Sequence, residues 1–109
     1  MVKLLYVAGL IGYKTIRQQV EIGGKQSIQL TAYRGLCVMY SNINRGNAVV
    51  TINGSPEPGI EVISNNTQTA ITFGNTGSYL QITNPELGVL NIYNNTTGAL
   101  ILYVLSIPY

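Results

Sequence analysis

Eight clusters of turn-forming residues punctuate this 109-residue chain: Gly23-Gly24, Arg34-Gly35, Asn44 to Asn47, Asn53 to Gly59, Asn65-Asn66, Gly74 to Ser78, Asn84 to Gly88 and Asn94 to Gly98. Breaks at intervals of roughly 8 to 12 residues leave room for short strands and exclude a long helix, the pattern of an all-β sandwich or barrel. In the first run Ile16, Val20 and Ile22 alternate with Thr15, Arg17, Gln19 and Glu21, which puts apolar side chains on one strand face and leaves Gln18 as the exception there. Tyr13, Ile16 and Val20 also fit a helical repeat. Beyond Gly23-Gly24 the alternation resumes in Ile28, Leu30 and Ala32, so the spacing predicts two strands joined by a two-residue hairpin.

Leu36 to Ser41, Ala48 to Asn53, Ile60 to Ser64, Thr69 to Phe73, Tyr79 to Thr83 and Val89 to Asn94 are short and rich in Ile, Val, Thr and Tyr, as strands are. Leu80 and Ile82 point one way, and Tyr79, Gln81 and Thr83 the other. Ala99 to Ile107 is apolar on both faces, with Leu100, Leu102 and Val104 on one and Ile101, Tyr103, Leu105 and Ile107 on the other. Such a strand lies at the centre of a core or has its outer face covered by another subunit. The expected architecture is one domain over residues 1–109, an antiparallel β-sandwich of about eight to ten short strands with the jelly roll as a candidate form. Met1 to Gly12 reads as a first strand or as an arm that adds to a neighbour's sheet edge.

Function is bounded first by what is missing. Charged residues make up 9% of the chain, against roughly a quarter in ordinary soluble domains, and amides and hydroxyls take their place: eleven Asn, ten Thr and six Gln, with no Asp, His or Trp. The few charges are segregated. Lys3, Lys14, Arg17, Lys25, Arg34 and Arg45 against Glu21 give the first 45 residues +5, whereas Glu57, Glu61 and Glu86 give the rest −3. From Val62 onward Glu86 is alone. Mixed surface charge keeps monomers apart, so a stretch this neutral suits a surface covered by neighbours.

Most site chemistry lacks its residues. Zinc, iron and serine triads need His or Cys clusters, and Cys37 is the single cysteine; it sits in an apolar run and reads as an inert buried thiol. Glu57 and Glu61 flank Pro58-Gly59 as solvated loop carboxylates rather than an acid–base pair or a calcium site. Gly23-Gly24-Lys25-Gln26-Ser27 lacks the earlier glycine of a phosphate loop. No cofactor or metal is expected, and catalysis is not. Lys14, Arg17, Lys25 and Arg34 do not form one stripe, and +2 overall is little charge for tracking phosphates, which argues against nucleic acid despite Tyr13, Tyr33 and Tyr40. The longest apolar run, Ala99 to Leu105, falls well below the about 20 residues of a membrane helix.

Eight tyrosines with one phenylalanine suit a surface that becomes an interface, because the ring is apolar and its tip polar. The candidate interface residues are Tyr79, Gln81, Tyr93, Tyr103 and Tyr109, with Arg17 and Arg34 as basic contacts to an acidic partner. In length, absence of cysteine pairs, Asn/Thr-rich strands and apolar tail the chain resembles small all-β virion proteins of the bacteriophage capsid decoration or minor capsid type. That resemblance implies a virion subunit bound to itself and to other structural proteins such as a major capsid protein. Two other expectations stand beside it: an extracellular filament subunit assembled by strand addition, and a carbohydrate-binding module using Tyr79, Tyr93 and the Asn-rich loops.

Overall fold

The computed structural model describes residues 15–43, 46–53, 59–66 and 70–108. Met1 to Gly12, Glu57 and Tyr109 lie outside the described residues, so the readings placed on them are not addressed. The described chain is all β. Its strands are β1 (Ile16–Ile22), β2 (Ser27–Thr31), β3 (Gly35–Ser41), β4 (Asn47–Ile52), β5 (Ile60–Asn65), β6 (Ile71–Phe73), β7 (Leu80–Glu86), β8 (Val89–Asn94) and β9 (Leu100–Pro108). They form a five-stranded sheet in the order β1-β9-β3-β4-β5 and a four-stranded sheet in the order β2-β8-β7-β6, packed face to face as a β-sandwich. First pairs with last and second with second-last, which is the nesting of a jelly roll; inside those outer pairs, β3, β4 and β5 follow one another as a meander.

The core lies where the alternation places it. Cys37 and Met39 of β3, Val50 and Ile52 of β4, and Leu100, Leu102 and Val104 of β9 meet Leu80 and Ile82 of β7 and Leu90 and Ile92 of β8. All are 7% exposed or less. Gln18 stays on the inward side of β1, between the half-buried Ile16 and Val20, and its Nε2 is buried with no hydrogen-bond partner.

Two expectations are corrected. β1 and β2 do not form a hairpin: β1 pairs antiparallel with β9 over seven residues, from Ile16 opposite Ser106 to Ile22 opposite Leu100, and β2 pairs with β8 in the other sheet. Gly23 to Gln26 still reverses the chain, with Gln26 N–H donating to Gly23 O at 3.1 Å, but it serves as a crossover between sheets. Turn residues specify the reversal and leave the partners of the flanking strands to longer-range burial. Gly24 is required by close packing rather than by a hairpin turn, because a Cβ there would run into the Thr96 and Thr97 backbone of the β8–β9 connection.

The second correction concerns strand direction. β6 and β7 are parallel, whereas every other pairing is antiparallel. A parallel return normally takes a dozen or more residues. Here residues 74–79 suffice, because Gly74 and Gly77 adopt φ of 145° and 124° and side chains clamp the loop. Thr72 Oγ1 donates to Thr76 O, and the Gln81 and Asn95 amides both donate to Gly77 O. A Cβ on Gly77 would overlap the Thr72 hydroxyl.

The sandwich is tied at one end by Asn94, which is fully buried. Its Nδ2 donates to Ile22 O and to Gly98 O, both at 2.8 Å, while its Oδ1 accepts from Thr96 N–H at 2.9 Å and from the Thr96 hydroxyl at 2.7 Å. One side chain thus joins the end of β1, the end of β8 and the β8–β9 connection. Asn94→Ala removes the partner of the buried Ile22 carbonyl and of the partly buried Thr96 N–H and is expected to cost about 2–3 kcal/mol in urea unfolding. Gly77→Ala combines a disallowed φ with a clash and is expected to lower stability by about 1–3 kcal/mol.

Candidate interaction surfaces

The outer face of the five-stranded sheet is built in cross-strand rows. One runs Glu61, Thr51, Leu36, Ile107; the next Val49, Val38, Leu105, Arg17; the third Asn47, Tyr40, Tyr103, Gln19. The outer side of an antiparallel sheet is ordinarily polar. This one is apolar across β9 and β3 and at Val49 of β4, where Asn47 and Thr51 stand on either side, and its charges, Arg17, Glu21 and Glu61, lie on the two edge strands. Tyr40 and Tyr103 are exposed on it, at 43% and 39%. Their rings are 5.9 Å apart between centroids and tilted at 39°. Beside them lies a depression of about 410 Å³ lined by Arg17, Gln19, Val38, Tyr40, Tyr103 and Leu105.

The opposite outer face, on the four-stranded sheet, has a different chemistry. Ser27, Tyr93, Gln81 and Thr72 form one row, and Gln29, Asn91 and Thr83 another. Neither contains a charge. Much of its hydrogen-bonding capacity is used within the chain, since Gln81 Nε2 and Thr72 Oγ1 hold the β6–β7 loop.

The residues singled out from the sequence therefore divide. Arg17 and Tyr103 meet at the depression on one outer face, and Gln81 and Tyr93 are cross-strand neighbours on the other. Tyr79 departs from the simple alternation: it sits in the bend before β7 and packs partly against the core. Arg34 lies exposed in the bend before β3. Leu36, Val38, Tyr40 and Val49, which complete the apolar face, were not among the candidates. Their signal was present, because Leu36 to Tyr40 is apolar at every position and so has two apolar faces, like β9.

Among the described residues the basic side chains are spread: Arg17 is on β1, Lys25 in the β1–β2 crossover and Arg34 in the bend before β3. The first three strands divide between the sheets, and Lys25 reaches across to the Asn95 carbonyl and Oδ1 at 3.1 and 2.8 Å. Among the described residues no three His, Cys, Asp or Glu side chains group together, and no helix is long and apolar enough to cross a membrane. Comparison of the chain with protein-family models, with characterised proteins and with solved structures gives no significant match.

Cys37 is wholly buried in β3 opposite Ser106. Burial pushes its thiol up to about 11, and a hydrogen bond with Ser106 only partly offsets that, so the thiolate is disfavoured in the folded protein. A disulfide-exchange reagent at pH 8 is expected to label it only on unfolding. The raised value also adds stability below pH 9 that is lost as pH climbs towards 11. Urea unfolding of Cys37→Ala should lack this component, about 2–3 kcal/mol, of the alkaline loss seen in the parent chain.

Proposed function

We propose that this chain is a non-catalytic structural subunit that works by being packed into a larger symmetric assembly. The outer face of β9, β3 and β4 carries the reading: Leu36, Val38, Tyr40, Val49, Ile101, Tyr103, Leu105 and Ile107 form a continuous apolar surface with charges only along its flanks. A contiguous patch of this kind is disfavoured on a lone soluble domain and matches the apolar centre and polar rim of a protein interface. The opposite face supports the same reading, since its two central rows carry no charge and only Glu86 stands in the next.

Within this class we favour a virion decoration or minor capsid subunit that binds itself and a major capsid protein. Small size, one compact sandwich and scarce charge support that form. Sedimentation of the full chain from about 1 to 100 µM tests the class, with masses at multiples of 11.8 kDa expected. A mass that stays at one subunit throughout overturns it. For the virion form, a reconstruction of the native particle is expected to show the sandwich bound outside the main lattice.

A further inference from the structure

Resting on the reading of the chain as an assembly subunit, we infer that the outer face of β9, β3 and β4 binds the same face of a second copy about a two-fold axis running along the strands. Three features of the face point to a copy of itself rather than to an unlike partner. First, Tyr40 and Tyr103 stand out from the sheet directly beside the depression floored by Val38 and Leu105. A protrusion next to a hollow on one surface is what a two-fold contact uses, because each copy supplies the knob that fills the other's hole. Aromatic anchors seated in such hollows dominate interface energetics.

Second, the charges are placed to meet. An axis along the strands between β9 and β3 lays β1 of each copy over β4 and beside β5 of the other. Arg17, on β1, is thereby brought to the edge strand that carries Glu61, level with Ser64 and one row away from the carboxylate, twice by symmetry. Third, the size is sufficient. With the axis between β9 and β3, four strands of each copy overlap; at about 4.8 Å between strands and seven residues of about 3.3 Å they give a flat footprint of roughly 440 Å² per copy, and interleaved side chains bury more accessible area than the flat footprint, which brings the pair to about the 1,000 Å² of a specific interface. Sheets meeting in this way pack about 10 Å apart with interleaved side chains.

The test uses the full chain in sedimentation velocity, with circular dichroism to confirm folding. Val38→Lys puts a charge on the floor of the hollow and is expected to weaken association by about 100-fold or more. Arg17→Glu and Glu61→Arg, each at an exposed edge position, are expected to weaken it by about 5- to 10-fold singly and to restore it within about twofold when combined. That rescue cannot arise from misfolding. If Val38→Lys folds and the oligomer persists unchanged, another surface is used, which overturns this inference and leaves the assembly reading intact. A double reversal no better than the singles overturns the two-fold pairing. A parent chain that stays monomeric, including one whose own residues 1–14 shield the face, overturns both.

Discussion

The carboxamide of Asn94 is bonded at both ends inside a fully buried site, and the arrangement of the sandwich depends on it. Its nitrogen holds the last residue of β1 in one sheet, and its oxygen holds the turn that leaves β8 in the other. Unpaired, each of those backbone groups would carry a desolvation cost comparable to a whole hydrogen bond. Because β1 and β8 belong to different sheets, the side chain fixes how the layers meet at that end as well as closing a turn. The crossover at Gly23 to Gln26 is held at the same place, through Asn94 N–H to Gln26 O and Lys25 N–H to Asn94 O, both at 2.9 Å.

Asn94 is the strongest case of a general use of asparagine. Asn65 Nδ2 donates to Ile71 O, Asn84 Nδ2 to Glu86 O and Val89 O, and Asn95 Nδ2 to Gly77 O, while Asn42 and Asn66 accept from Ile101 and Asn47 N–H groups. These clamps sit where strands end and carbonyls need donors. Aspartate has no N–H to give and would bring a charge into partly buried sites. The absence of Asp and the abundance of Asn thus have one cause inside the fold, and the amides are less available to neighbours than their number suggests. Asn94 also shows why an Asn-x-Thr sequence alone does not mark a glycosylation site, since its side chain is inaccessible.

Strand positions were legible because burial on one face writes a period of two into the sequence, and the nine strands follow the marked runs to within two residues at each end, except that β7 continues three residues past Thr83 to Glu86. Pairing was less legible. Gly23-Gly24 announces a reversal whether the strands on either side pair or part, and only the seven-residue match between β1 and β9 decides between those outcomes. The parallel β6–β7 return was hidden as well, because its loop is held by Thr72, Gln81 and Asn95 from three different strands or turns. The outward position of Tyr103 and Arg17 was legible from the alternation along their strands. That of Val38 and Tyr40 was not, because Leu36 to Tyr40 is apolar at every position and shows no period of two to separate an inner side from an outer one.

The placement of β9 has a consequence for how such a subunit comes into being. It follows the other eight described strands in the chain, yet it lies between β1 and β3, so the five-stranded sheet stays split until β9 is available. Pairings between distant segments form slowly and close late. The apolar outer face, half of which β9 supplies, is therefore absent from a nascent or truncated chain. Only a chain that has reached β9 presents this face, so the strand order couples its appearance to the closing of the five-stranded sheet.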